Sequence, residues 1–233
     1  MSYNYIGLVN DVNRRLNEVE LTETVGSLTG NFATSDGFYS FVKDAVNASI
    51  RHIQQEEFEW PWNHVERTDT LLVGTNRYGY PYDAKTINFN TFRIKRNDSL
   101  NIGTTRLKEI SYEEYLDKYA DSEYNTDVKG MPTHIARTPS REFILYPNPD
   151  KAYELVYEYF TATYDLEDET DVPNLPELYR YVITDGAMYY AYQFKGDYQA
   201  SNLALTKFQD DIKYLRSLHI NRTPYVRDTR VHF

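Results

Sequence analysis

Residues 176–215 read PELYRYVITDGAMYYAYQFKGDYQASNLALTKFQDDIKYL and predict a helical hairpin. Pro176 suits the first turn of a helix, and the apolar residues after it recur at helical spacing. The predicted inward positions of this first helix are Leu178, Tyr181, Val182, Ala187, Met188, Ala191 and Tyr192. The break at Gly196 and Asp197 then leads into a second helix. Its predicted face consists of Leu203, Leu205, Phe208, Ile212 and Leu215.

Two further helices are predicted near the N-terminus. The first carries a narrow apolar stripe made of Ile6, Val9, Leu16 and Val19. A loop rich in Gly, Ser and Thr follows, and Ser35 or Asp36 is expected to cap the second helix. That helix should end near Phe58, because Pro61 disfavours helical geometry in the residue before it.

The chain between His64 and Thr163 has a different period. Short runs of β-branched and aromatic residues alternate with turn clusters, which predicts about six strands in an antiparallel sheet or a small sandwich. One short helix should interrupt them at Ser111, since Glu114 follows at the spacing of a capping box.

This order of elements predicts an α+β fold. The N- and C-terminal helices are expected to pack as a bundle, with an antiparallel β-rich region inserted between them and an extended arm at the C-terminus. The predicted boundaries are 1–63 and 164–218 for the helical bundle, 64–163 for the β-rich domain and 219–233 for the arm.

Composition narrows the classes of protein. The net charge is −10, and the basic excess is confined to the last twenty residues, which does not fit a general nucleic-acid binder. No apolar run is long enough to cross a membrane, and we expect no signal peptide. The absence of cysteine excludes disulfides and thiolate chemistry, while 23 tyrosines suit half-buried strands or contact surfaces.

Sites for catalysis or metal binding are not apparent in the sequence. The five histidines show no metal-ligand spacing, and no nucleophile elbow or phosphate-binding loop occurs. The acidic run from Asp165 to Asp171 lacks the glycine and the spacing of a calcium loop, so we interpret it as a mobile linker. We therefore predict a protein that is not an enzyme and that needs no cofactor or metal.

The stretch EFEWPWN, residues 57–63, contains both tryptophans of the chain. Trp60, Pro61 and Trp62 are interpreted as packing that fastens a helix end to the fold. The alternative is a platform on which a sugar stacks, with Glu57 or Glu59 as an acid–base group. A platform for nucleic acid is disfavoured, because those carboxylates repel phosphate.

Several stretches, taken in order, resemble the head-to-tail adaptor proteins of short-tailed bacteriophages, also called tail tubular protein A. They are VNDVNRRLNEVELT, GFYSFVKDAVNASIRHIQQEEFEWPWN, LYPNPD, and the acidic linker with LPELYRYVITDGAMYYAYQFKGDYQASNLALTKFQDDIKYL. The resemblance covers most of the chain. Its most specific element is the glycine–aspartate break between two helices.

The resemblance implies a structural protein of the virion, assembled in the host cytoplasm and located at the neck between capsid and tail. Such adaptors form a ring, typically of twelve subunits, that joins the portal to the tail nozzle, and genomic DNA passes through the lumen without being read. It implies no cofactor and no membrane. The arm, residues 219–233, would then contact the portal through Arg222, Tyr225, Arg227, Arg230 and Phe233.

Two other functions remain open at this point. One is a carbohydrate-binding or glycan-hydrolysing protein that uses Trp60, Trp62 and the nearby glutamates. The other is a ring component of the tail farther from the capsid, whose arm would have no affinity for a portal.

Overall fold

The computed structural model describes residues 3–23, 31–98, 101–123 and 128–220. Its helices are α1 (Tyr5–Arg15), α2 (Phe38–Glu56), α3 (Tyr112–Tyr119), α4 (Tyr181–Phe194) and α5 (Tyr198–His219). Its strands are β1 (His64–Thr70), β2 (Arg77–Gly79), β3 (Ala84–Asp98), β4 (Asn101–Arg106), β5 (Lys108–Ile110), β6 (Lys129–Gly130), β7 (His134–Arg137), β8 (Glu142–Tyr146), β9 (Asn148–Pro149) and β10 (Glu154–Thr161). The predicted α+β class, with helices toward both termini and the β region between them, is confirmed.

The chain divides into two compact units. Residues 1–62 and 163–233 form one, here called the helical unit, and residues 63–162 form the other, the β unit.

The helical unit is built around α2, α4 and α5. Their buried faces meet in a single apolar core that includes Val46, Ile183 and Phe208. Gly186 lets the helices approach closely, because a side-chain carbon there would lie 2.6 Å from the ring of Phe208 and would also collide with the hydroxyl of Ser49. The sequence pattern of small residues on α4 therefore sets how tightly it packs.

The N-terminus of α1 is completed by the acidic segment that precedes α4. The first N–H groups of a helix have no partner inside it. Here the backbone N–H of Tyr5 donates to the carbonyl of Asp171, that of Ile6 donates to Glu169, and the side chain of Asn4 accepts from Gly7. The segment predicted to be a mobile linker is thus a hydrogen-bonded turn packed on α1.

Two helix ends differ from the sequence prediction. α1 stops at Arg15, Asn17 has a left-handed backbone with φ 57°, and Val19 is 72% exposed, so the predicted stripe is shorter by one turn. At the start of α2, Gly37 occupies the cap position with φ 62° and no side chain caps the helix. Glycine supplies a conformation that Ser35 or Asp36 would adopt only at a cost.

Two positions predicted to face the core are exposed. Leu178 lies in a short 3₁₀ turn before α4 and is 75% exposed, and Leu203 on α5 is 70% exposed. α5 instead buries Ser201, Phe208, Ile212 and Leu215. The small Ser201 continues the buried side because its hydroxyl donates to the carbonyl of Tyr189 on α4.

The β unit contains two four-stranded sheets. The first has the order β1-β10-β3-β4 and is antiparallel throughout, while the second has the order β2-β8-β7-β5. The prediction of purely antiparallel pairing is wrong for β5, which runs parallel to β7, and for β6, which runs parallel to β9. α3 lies between β5 and β7 in sequence, and such a crossover is what a parallel pair requires.

The core of the β unit is largely aromatic. The ring of Phe92 on β3 stacks on Tyr157 of β10, with centroids 4.6 Å apart and planes 2° apart, and Phe143 of β8 packs edge-on against both. Alternation along β10 places Leu155, Tyr157 and Tyr159 inward. The predicted cap of α3 is also present, since the hydroxyl of Ser111 accepts from the N–H of Glu114 at 3.1 Å.

Candidate functional site

The tryptophan stretch closes the C-terminal end of α2. Trp60 is completely buried, and its indole N–H donates to the carbonyl of Ile53 at 2.9 Å. The last carbonyls of a helix lack an intrahelical donor, so this bond supplies one of them. Trp60 thereby joins the helix end to the core by both packing and hydrogen bonding.

Trp62 continues this packing toward the end of α5. Its ring stacks on Trp60, with centroids 4.6 Å apart and planes 14° apart. The imidazole of His219 meets Trp62 edge-on at 5.5 Å and meets Tyr179 edge-on at 4.9 Å. We name the cluster of Trp62, Tyr179, Arg216 and His219 the arm root, because α5 ends there.

Arg216 explains the acidic residues at the end of α2. Carboxylates are unfavourable near a helix C-terminus. The guanidinium of Arg216 donates to the backbone carbonyl of Glu56 and lies 3.6 Å from the carboxylate of Glu56 and 3.5 Å from that of Glu57. The positive charge from α5 thus offsets both acids and links the ends of two helices.

The structure brings two sequence-separated predictions to one place. Trp60, Pro61 and Trp62 lie beside the residue at which α5 ends. Arg222, Tyr225, Arg227, Arg230 and Phe233, the residues predicted for the arm, lie outside the described residues. His219 was assigned to the arm, but it belongs to α5. Its spacing from Phe208, Ile212 and Leu215 continues the helical period and could have indicated this.

The geometry does not favour the sugar-stacking alternative. Trp60 has no exposed surface, and one face of Trp62 is covered by Trp60. Glu57 is 8% exposed and lies against Arg216, where an ion pair occupies its carboxylate. A sugar platform needs an open aromatic face, which this arrangement does not provide.

A different surface of the helical unit is apolar and open. On α5, Leu203, Tyr214 and Leu218 are at least half exposed, and their spacing of eleven and four residues places them on one side of the helix. We name these three residues the outer strip. A groove of about 310 Å³ borders it, lined partly by Met188, Tyr192 and Leu203. Apolar area of this kind, with charged residues at its edge, is typical of a protein contact surface.

Neither metal chemistry nor a membrane span emerges from the described parts of the chain. No three His, Cys, Asp or Glu side chains within them come together in a way that could hold a metal ion. None of the helices there is long and apolar enough to cross a bilayer.

A comparison with protein families decides what kind of protein this is. The profile of the SU10 adaptor protein matches residues 3–230, which include both units and nearly the whole arm. The chain belongs to the SU10 adaptor protein family. This is a family of head-to-tail adaptors of short-tailed phages, so the adaptor is a structural component of the virion, and the family resemblance seen in the sequence is confirmed. No curated protein was found to match the adaptor.

Proposed function

We propose that the adaptor forms a closed ring, of twelve subunits, between the portal and the tail nozzle. In this proposal genomic DNA passes through the lumen without sequence reading, and residues 221–233 bind the portal. The family match over residues 3–230 carries the proposal, because it extends through the arm as well as the folded units.

The arm root supports a portal-binding role for the arm. The stacked indoles and the ion pairs of Arg216 hold the last turn of α5 in place. A segment leaving such an anchored point begins from a defined position, which lowers the entropy lost when it binds. The arm sequence contributes Arg222, Arg227 and Arg230, which suit an acidic partner surface.

The outer strip supports assembly into a ring. A closed ring needs two different faces on each subunit, and each face is buried in the assembly. Leu203, Tyr214 and Leu218 form apolar area that a neighbouring subunit would cover. The acidic character of the chain suits a DNA channel, because a negative wall does not hold phosphates.

Particle mass, measured alone and with the portal and accompanied by electron images, tests the ring. A subunit has a mass of 27.5 kDa, so twelve subunits give a particle of about 330 kDa. Leu203→Lys should reduce the particle to smaller species, whereas Asn202→Lys, an exposed neighbour on the same helix, should not. A monomer under both conditions overturns the proposal.

Truncation after Ile220 tests the arm. Ile220 donates its N–H to the carbonyl of Arg216, so this endpoint keeps the whole of α5. The truncated adaptor should keep its thermal stability and ring size but lose attachment to the portal and to DNA-filled heads. The full-length triple variant R222Q/R227Q/R230Q separates charge from length. Undiminished portal binding by the truncated protein would instead favour a ring component farther along the tail.

A further inference from the structure

The β unit contains a basic groove of about 450 Å³. Its lining includes Tyr80, Lys85, Phe89, Arg137, Thr138 and Arg141. Three of these side chains are cationic, and none of the lining residues is acidic. This is unusual in a chain with a net charge of −10.

The two arginines of the groove are held by the fold. The guanidinium of Arg137 lies 4.4 Å from the ring centre of Phe89, a cation–π contact that leaves its N–H edge available. Arg141 donates to the carbonyl of Ala84 at 2.7 Å, and its backbone is left-handed with φ 60°. A turn of this conformation favours Gly or Asn. Arginine at this position places a cation at the groove despite that preference.

The hydroxyl of Tyr80 adds a donor that lacks an acceptor. It is buried and has no hydrogen-bond partner within the described parts of the chain. Burial raises the pKa of Tyr80, while the positive charges of Arg137 and Arg141 oppose that change. Guanidinium, ammonium and phenol groups can all donate here, so an oxygen anion is the ligand that completes the site.

The surroundings favour protein carboxylates over the DNA backbone as this ligand. Binding to duplex DNA needs an extended basic face. The β unit, however, carries 15 acidic residues against 13 basic ones. Its positive charge at the groove is local, and a groove of this volume fits one or two side chains rather than a run of phosphates.

A matching group of carboxylates lies in the acidic turn, residues 165–171. The carboxylate of Asp171 accepts from the backbone N–H groups of Glu167 and Asp168, at 2.8 Å each, which fixes the turn. The backbone N–H of Leu166 donates to the buried Asn47 side chain at 3.0 Å. Glu167 and Asp168 are exposed on this ordered turn, so little conformational entropy is lost when they bind.

We propose that the basic groove binds Glu167 and Asp168 of a second copy of the chain. This contact would join the β unit of one subunit to the helical unit of its neighbour, and it rests on the proposed ring. It would also select the order of subunits around the ring, because the two contributing faces are different.

Charge reversal tests the contact. Arg137→Glu, and separately the double variant E167K/D168K, should each weaken association of the full-length protein by about tenfold or more. The protein that carries all three changes should regain association. Lys118→Glu in the β unit and Glu177→Lys in the helical unit are exposed controls, and both should associate normally. Normal association of both reversal variants overturns the proposal.

A second groove variant and DNA separate folding and phosphate binding from carboxylate binding. Lys85→Glu should reproduce the loss at an unchanged melting temperature if Arg137→Glu proves unstable, and its normal association would overturn the proposal. Binding to a 20-base-pair duplex should not depend on Arg137. Loss of duplex binding in Arg137→Glu, with normal association of E167K/D168K, would assign the groove to phosphate and overturn the carboxylate contact.

A peptide experiment keeps the groove testable if no ring forms. A peptide of residues 163–173 is titrated into the E167K/D168K protein, whose own turn cannot compete, and amide chemical shifts are followed at millimolar peptide. Shifts at the groove that disappear in the R137E/E167K/D168K protein support the site even when the ring proposal fails. Absence of any shift overturns the site whatever the oligomeric state.

Discussion

The helical unit and the β unit bury different kinds of side chain. Among the described residues, the buried polar side chains of the helical unit are Asn13, Asn47, Ser49, Gln54, Glu57, Thr184, Asp185 and Ser201. Those of the β unit are Asn63, Thr138 and Asn148. The β unit instead stacks aromatic rings, with Phe92, Phe143 and Tyr157 in mutual contact.

The difference shows how each unit specifies its own packing. In the helical unit, buried polar groups join residues far apart in sequence. Asp185, only 4% exposed, forms ion pairs with Arg15 at 2.6 Å and Lys207 at 3.0 Å, so three helices meet at one carboxylate. Aromatic stacking in the β unit carries no charge. We therefore expect the β unit to respond mainly to lost volume, and the helical unit to respond also to added volume and to pH.

The largest effect is expected from Phe92→Ala in the β unit. It removes a ring that is completely buried and stacked on Tyr157, and such a cavity costs about 3–5 kcal/mol of unfolding free energy. Hydrogen exchange should show the earliest loss of protection among residues 63–162. The control Tyr82→Ala, at a position 91% exposed, should change stability by less than about 0.5 kcal/mol. Comparable losses in the two variants would mean that stacking does not organise this core.

Gly186→Ala should be the most damaging small substitution in the helical unit. Alanine gains about 1 kcal/mol over glycine in helix propensity. The added carbon, however, would collide with Ser49 and Phe208, and overpacking costs about 1–3 kcal/mol or more. Because both neighbours are buried, we expect a net loss of about 2 kcal/mol in chemical denaturation. Gly79→Ala, where nothing lies within 4 Å, is the matched control. A more stable Gly186→Ala protein would contradict close helix packing.

Trp60→Phe should destabilise the helical unit by about 1–2 kcal/mol. The change removes the N–H donor to Ile53 and part of a completely buried ring. Trp62→Phe should cost less, since Trp62 is only partly buried and its N–H has no partner in the described parts of the chain. Thermal melting followed by far-UV circular dichroism compares the two. A larger loss for Trp62→Phe would show that the arm root depends on the outer indole.

The smallest effect, and the most specific, is the pH response of Asp211. Burial, followed by the charge of Asp185, raises the pKa of Asp211 to about 6. Lys207 opposes this change, and Asp210 adds to it. The neutral form is therefore favoured in the folded state. Its contribution to stability is complete below about pH 4 and is lost as the pH rises toward 6.

Asp211→Asn keeps the neutral shape at every pH. It should raise the unfolding free energy by about 1 kcal/mol at pH 8, a value reduced for partial exposure, and should change nothing near pH 3.5. Urea denaturation at the two pH values measures this, with the exposed Asp210→Asn as control. An equal effect of Asp211→Asn at both pH values would show that the carboxyl pair is not the cause.

Local patterns in the sequence were sufficient for much of the fold. Helical spacing located α2, α4 and α5, and the capping signal at Ser111 located α3. Predictions failed where a contact with another element decided the outcome. α1 ends early at Arg15, Leu203 is exposed while Ser201 is buried, and β5 pairs in parallel with β7. Periodicity shows which side of an element is apolar, but it does not show which residues a neighbouring element will cover.

The sequence by itself determined the α+β class, the order of the elements and the family of the chain, because these depend on local spacing and residue order. Tertiary structure alone brought Trp62 against His219 and gathered Lys85, Arg137 and Arg141 around one groove. It also placed Arg15 and Lys207 on Asp185. These residues are distant in sequence and have no shared period. Their contacts depend on the packing of whole helices and sheets, and that packing minimises buried unpaired charge and empty volume across the entire unit.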